Sequence, residues 1–196
     1  MSNKPVSSSL SHMILAMLAV ACGAAFILGY VYRITEEPIQ KAKNEQELAA
    51  ISEVIYNGFD NDPFAEKTII ATPRHKNRLR LYPARKNGVI NSVAVKSFSN
   101  KGFGGRMEVI VGFFLDGTIS GFKVINHHET PGLGTKVNEK RFQEQFQGLN
   151  PGKHILKVKQ DGGDIDAVTA ATISSRAVVD AIQKAYDAYY KFSTGI

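Results

Sequence analysis

The apolar positions of the chain fall into one long uninterrupted run, a series of short alternating runs, and two stripes at helical spacing. The long run is Met13 to Tyr32, MILAMLAVACGAAFILGYVY, which carries no charge. About 20 residues wound as a helix reach about 30 Å, the thickness of a bilayer core. Tyr30, Tyr32 and Arg33 give it an interfacial girdle at the far end. The rival reading is a cleaved signal with a lipoprotein-like site, LAVAC, at Cys22. The chain stays apolar from Gly23 to Tyr32, and Lys4 alone is a thin basic lead, so the pattern predicts a retained anchor.

Beyond the run, TEEPIQKAKNEQELAAISEVIYNG reads as a separate helix, capped by Thr35, with Glu36, Glu37 and Pro38 in its first turn. Leu48, Ile51, Val54 and Ile55 form its apolar stripe, Gly58 ends it, and Asp60 to Pro63 is a loop. Strands follow. Leu79 and Leu81 alternate with arginines until Pro83 breaks the run, and Arg85 to Gly88 is a turn before VINSVAVKSF. In MEVIVGFFLDGTISGFKVIN two apolar strands join through Asp116-Gly117, a hairpin signal, and the first is apolar on both faces, as a central strand should be. Phe142, Phe146 and Leu149 mark a short helix over 138–149, HILKVK reads as another strand, and QDGGD is a glycine loop. The last helix starts near Ser174 and ends near Phe192, with Val178, Ile182, Ala185 and Tyr189 on one stripe and Val179 and Tyr186 beside it. The predicted class is α+β: a single N-terminal transmembrane helix, then an antiparallel sheet packed with helices. The divisions are a tail (1–12), the span (13–32), a membrane-proximal helix and loop (33–62) and a globular domain (63–196).

Composition changes this picture little. A formal charge of +6 with pI near 9.4 is basic, but the cations are scattered apart from Arg74, Lys76, Arg78 and Arg80, and Lys136, Lys140 and Arg141. Interleaved aromatics are missing, which argues against nucleic acid as a partner. The single cysteine, Cys22, excludes an internal disulfide and a cysteine metal cage. Lys4 and the α-amino group before the span, against Arg33, Lys41 and Lys43 after it, lean slightly toward a cytoplasmic main domain.

Three stretches are unusually rich in glycine and small polar residues. In NKGFGGR (Asn100 to Arg106) three glycines surround one aromatic, which suits a plain hairpin turn or close approach to a ligand. In HHETPGLG (His127 to Gly134) adjacent histidines on an extended chain point to opposite faces and do not share a metal. The turn after them can present N–H groups to a heterocycle or anion. The third stretch, DAVTAATISS (Asp166 to Ser175), precedes a helix. Its hydroxyls suit either a helix cap or, with the unpaired N–H groups of a helix start, a phosphate.

HHETPGLG followed by KQDGGDIDAVTAATISSRAVVDAIQ resembles the G subunit of Rnf electron-transport complexes and, more distantly, the C subunit of the sodium-pumping NADH:quinone reductase. YPARKNG and GFGG fall where the family has similar stretches, and the single span fits too. The resemblance implies FMN esterified through its phosphate to the last threonine of an Asp-x-x-Ser/Thr-x-Ala-Thr motif. The matching positions are Asp166, Thr169, Ala171 and Thr172, with Thr172 as the phosphoryl acceptor. The family pattern has glycine at Ala170; alanine is still small, and attachment is expected to survive. No histidine or cysteine in the stretch activates a threonine hydroxyl. The resemblance accordingly implies a separate flavin transferase using FAD and magnesium. It also implies that the isoalloxazine meets Glu129, Thr130, Leu133, Gly134 and Thr135.

The implied function is a membrane-anchored flavoprotein subunit relaying electrons in a ferredoxin:NAD ion-translocating complex, with no catalytic residues of its own. Its partners are the membrane and iron–sulfur subunits, and its soluble domain lies outside the cytoplasm at the bacterial inner membrane, against the charge count. This chain has no strand–Gly-x-Gly-x-x-Gly–helix unit for NAD. The alternatives are the C-subunit role and an anchored binding or scaffold module without flavin.

Overall fold

The computed structural model describes residues 10–56, 58–71 and 78–195. Lys4 and most of the expected tail, and Arg74 and Lys76 of the first basic cluster, lie outside them. The apolar run and the helix expected after it form one continuous helix, α1 (Leu10–Val54), whose best 18-residue window has a mean hydropathy of 2.4. It is long and apolar enough to cross a membrane once. The expected break at Thr35 is not there. Its hydroxyl donates back to the carbonyls of Val31 (2.8 Å) and Tyr32 (3.2 Å), so it is closed on the preceding turn and caps nothing. Pro38 therefore lies inside α1. The chain divides into two compact units, Met1–Glu45 and Gln46–Ile196.

In the second unit five strands, β1 (Thr68–Ala71), β2 (Arg78–Lys86), β3 (Val89–Gly102), β4 (Gly105–Phe114) and β5 (Ile119–Asn126), form an antiparallel sheet in sequence order. Asn87 and Gly88, with φ of 54° and 77°, make the β2–β3 turn, the left-handed pair that matches strand twist. Asp116-Gly117 closes β4 onto β5 as its sequence predicts, and β4 is interior, paired on both sides. Pro83 does not end β2. It lies beyond the last β1 pair, Thr68 with Leu81, where β2 has an open side that tolerates a missing N–H. The Asn61 amide serves that side in place of a strand, donating to the Pro83 carbonyl (3.0 Å) and accepting from the Arg85 N–H (2.9 Å).

Alternation sends Leu79, Leu81, Val93, Val95, Val109, Val111 and Phe113 to one face of the sheet, under α3 (Thr172–Thr194). Val178, Val179, Ile182, Ala185 and Tyr189 of α3 are buried there, as their spacing predicts. Tyr82, Ala84, Ala94 and Ile110 face the other way and meet Ala50, Ile51, Val54 and Ile55 at the end of α1. The stripe on α1 is rotated from the expected one: Leu48 is 39% exposed, and Glu47 is buried, accepting from the Tyr82 hydroxyl (3.0 Å) and pairing with Lys96. Tyr82 ionises only at about 12, first because burial penalises the phenolate and then because Glu47 repels it.

The short helix over 138–149 is instead a 3-10 turn (Gly134–Asn138), α2 (Lys140–Gln143) and a second 3-10 turn (Glu144–Phe146). HILKVK is not a strand. Val158 makes only one isolated parallel bridge, to Ile165, because the glycine loop folds the chain back on itself after a 3-10 turn at Lys159–Asp161.

Candidate functional site

α3 begins two residues before the serine expected to open it, and no side chain caps it: the N-cap position is Ala171, which has no side chain able to accept. The hydroxyls of the stretch are committed elsewhere, with two exceptions. Ser175 Oγ accepts from the Val168 N–H (2.9 Å) and donates to the Ala171 carbonyl (3.0 Å), tying the preceding loop to the first turn. Ser174 Oγ donates to Glu129 Oε2 at 2.6 Å. Thr169 and Thr172 hydroxyls make no hydrogen bond among the described residues. A helix cap therefore does not account for Thr172.

Glu129 lies at the centre of the wall. It is 6% exposed, and besides Ser174 it accepts from the Gly104 N–H at 3.2 Å. One carboxylate thus joins the tip of the β3–β4 hairpin, the chain after β5 and the start of α3. The glycines around it are there for space. A Cβ on Gly134 would sit 2.5 Å from Glu129 Oε2 and 2.7 Å from Ser174 Oγ, one on Gly102 would sit 2.5 Å from Glu129 Oε1, and one on Gly104 would run into the His128 carbonyl. The Glu129 N–H donates to His127 Nδ1 at 3.3 Å. Thr135 shapes the turn from behind: its hydroxyl accepts from the Gly132 N–H (2.9 Å) and its own N–H donates to the Thr130 carbonyl (3.4 Å).

These contacts frame a cleft of about 360 Å³ lined by Phe103, Glu129, Thr130, Leu133, Gly134 and residues 170–174. Of the residues named from sequence, Glu129, Thr130, Leu133, Gly134, Ala171 and Thr172 come together here. Asp166 and Thr169 do not. They line a separate groove with Lys136, Glu139, Arg141, Phe142 and Gln145. Phe103 was missed, although the GFGG stretch that carries it was the signal. It is 71% exposed at the cleft mouth, with Leu133 at 45% and Ile173 at 47%. Apolar side chains left this open are what a flat heterocycle would cover. The uncapped α3 start suits a phosphate ester at Thr172. The free hydroxyl, the apolar mouth and the helix start thus fit FMN.

The tip carrying Phe103 is pinned to α3 by Asp180. Its carboxylate accepts from Ser99 Oγ (2.7 Å), Lys101 Nζ (2.7 Å) and Lys184 Nζ (2.6 Å). Burial alone would raise this carboxyl, but the bonds from Lys101, Lys184 and Ser99 outweigh it and hold it below its ordinary range.

Residues 102–187 match the FMN-binding domain family, a stretch that starts at the hairpin tip and contains the whole cleft wall. The G subunit of the ion-translocating oxidoreductase complex of Vibrio atlanticus (strain LGP32) is 32% identical over 181 residues, covering 87% of this chain and 86% of its own. Its counterpart from Yersinia pestis is 34% identical over 175 residues, covering 84% and 83%. The crystal structure of Shewanella oneidensis NqrC shares the fold, with a TM-score of 0.50 at 22% identity over 69% of this chain and 74% of that one.

Proposed function

The chain belongs to the family of G subunits of ion-translocating oxidoreductase complexes, and from that premise we propose that it carries FMN as a phosphoester on Thr172 and relays electrons through it. It is a single-pass membrane subunit of an Rnf-type complex, working beside other membrane and iron–sulfur subunits between ferredoxin and NAD. Its soluble unit faces away from the cytoplasm. FMN, when bound, supplies one- and two-electron chemistry. The residues of the chain hold and shield it. Thr172 Oγ would take the phosphoryl group, the first turn of α3 would offer its N–H groups to the phosphate charge, and Phe103, Leu133 and Ile173 would cover the ring. Glu129 is kept in the cleft wall by Ser174 and Gly104.

One observation carries this reading. Thr172 has the only hydroxyl of the TISS run with no internal partner, and it lies in the cleft wall. A flavin transferase would move the FMN phosphoryl from FAD to that oxygen: the pyrophosphate bond breaks, the ester forms and AMP leaves with the hydroxyl proton going to the catalyst.

The test is coexpression with an active flavin transferase. Wild type should fluoresce in a denaturing gel and gain the mass of FMN less water. Thr172→Ala should do neither while remaining folded, because the lost hydroxyl has no bond to break. Fluorescent Thr172→Ala would place the ester elsewhere, and a wild type that is never labelled would leave an anchored module without flavin. A reporter after Ile196 should read as extracytoplasmic; a cytoplasmic signal would overturn the orientation.

A further inference from the structure

Phe103, in the turn between Gly102 and Gly105, is 71% exposed and makes no ring contact among the described residues. Aromatic packing does not fix it, yet the hairpin beneath it is fastened at several points. The β3–β4 register shifts between Ser99 and Gly102, a bulge of the kind that re-aims the residues beyond it. One buried hydroxyl holds that bend: Ser99 Oγ accepts from the Lys101 N–H (3.2 Å) and donates to Asp180 Oδ2 (2.7 Å). Lys101 Nζ donates to the other carboxylate oxygen, Asp180 Oδ1, at 2.7 Å. Lys184 Nζ adds a bond to Oδ2 (2.6 Å) and one to the Phe98 carbonyl (3.4 Å). Each oxygen of Asp180 thus holds one residue of the bend.

Asp180 itself does not line the cleft. It follows Thr172 by eight residues on α3, about 12 Å along the axis. One helix therefore carries both the acceptor hydroxyl and, two turns on, the anchor of the hairpin that brings Phe103 to the cleft mouth. At the tip, Glu129 Oε1 accepts from the Gly104 N–H at 3.2 Å. A bond at Gly104 alone would leave the hairpin free to pivot about that point. The Asp180 bonds at Ser99 and Lys101 remove the pivot. An aromatic ring held at a cleft mouth without a partner gains its packing when a flat heterocycle arrives.

We propose that Asp180 is a positioning residue for the flavin: through the Ser99–Lys101 bend it sets Phe103 against one face of the isoalloxazine when FMN is bound on Thr172. The inference rests on Thr172 as the point of attachment and adds the residue, outside the cleft, that fixes the cover of the ring. A ring tethered only through its phosphate and ribityl chain keeps rotational freedom, and a cover fixed in advance removes it without having to be ordered itself.

The chain has no tryptophan, so Phe103→Trp supplies a single indole at the tip. An indole in contact with an excited flavin quenches it by donating an electron, which returns as the pair decays. The full-length protein, solubilised in detergent and labelled by an active flavin transferase, is compared folded and denatured. Phe103→Trp should lose most of the folded-state flavin fluorescence of wild type and recover it in denaturant. Adding Asp180→Asn should restore most of the folded-state emission. Adding Lys101→Met, which takes only an exposed donor from the bend, should restore part of it. In the apo-protein the same two additions should lower the anisotropy of the indole, a readout that needs no flavin. Ile182→Val, a core change on α3 away from the bend, should alter neither signal, which separates positioning from general loss of stability. If Asp180→Asn does not fold, Lys101→Met and Ser99→Ala carry the same expectation. Quenching and anisotropy unchanged by loss of these bonds would overturn the positioning role. A Phe103→Trp protein as fluorescent as wild type would put the tip away from the ring and overturn it too. Both results leave the Thr172 reading standing; if wild type itself takes no flavin, both readings fall.

Discussion

The cleft lined by residues 170–174 and the groove lined by residues 166–169 are built on opposite terms. On the cleft side the carboxylates are largely buried and held by several donors: Glu129 by Ser174 and Gly104, and Asp180, 15% exposed, by Ser99, Lys184 and the exposed Lys101. On the groove side, the pairs are exposed, with Lys159 at 58% and Asp166 at 67% side-chain exposure. A buried carboxylate that loses a donor keeps its desolvation cost, whereas an exposed pair loses about 0–1 kcal/mol. The cleft wall is therefore held by buried carboxylates, and the groove rim by an exposed pair. Substitutions of similar size should have very different effects on the two sides.

The largest difference is expected from glycines. Gly104→Ala would drive a Cβ into the His128 carbonyl. Backbone must shift, so a loss of about 3 kcal/mol is expected in denaturant unfolding, together with altered flavin absorbance in whatever protein is labelled. Gly162, in the loop leading to Asp166, has φ of 78° and open space around it. Gly162→Ala should cost only about 1 kcal/mol, the left-handed penalty, and leave the spectrum alone. Equal losses at the two positions would mean that the cleft is no tighter than the loop.

Asp180 gives an effect of intermediate size with a pH signature. Its carboxyl is depressed in the fold, so its contribution to stability is full above the unfolded pKa near 4 and disappears as pH falls through the lower folded value. Asp180→Asn should cost about 2 kcal/mol at neutral pH and flatten the acid limb of the stability curve. Asp166→Asn, whose partner Lys159 is exposed, should change stability by no more than about 0.5 kcal/mol while slowing flavin transfer. A steep acid limb surviving in Asp180→Asn would show that another group pins the hairpin.

The same contrast explains what the sequence disclosed. Hairpins were legible at Asn87-Gly88 and Asp116-Gly117 because positive φ restricts residue choice there, and α3 was legible because its stripe is apolar throughout. The burial of Glu47 was not, since a paired carboxylate looks like a solvated one until Lys96 and Tyr82 are known to face it. HILKVK has the alternation of a strand, but alternation does not reveal whether a neighbour is there to pair, and only Ile165 is. At the site, the cleft turn and Thr172 were marked by glycines and hydroxyls. The separation of Asp166 and Thr169 into a second concavity was hidden, because a linear motif does not record which concavity each residue lines.

Ala170, which follows the groove-lining residues 166–169, should give a small effect and the one of opposite sign. It and Asn87 are the described non-glycine residues with positive φ, at 60° and 54°. Asparagine tolerates that region; alanine there brings its Cβ against its own carbonyl at a cost of about 1–2 kcal/mol. The conformation persists because the Ala171 N–H donates to the Val168 carbonyl (2.9 Å) and Ser175 closes the loop from the other side. Glycine at this position would be free of the Cβ penalty. Ala170→Gly removes that strain but widens the unfolded ensemble by about 0.4–1 kcal/mol, so the net expectation is a gain of about 0.5–1 kcal/mol. Flavin uptake should match or exceed that of wild type, since the loop shape that presents Thr172 becomes easier to hold. Ala170→Val adds a branched side chain in the same region and should be clearly destabilising and poorly labelled. Chemical denaturation and labelling rates of the three proteins order them as Gly, Ala, Val. If glycine lowered stability while valine was tolerated, residue 170 would not hold the left-handed conformation.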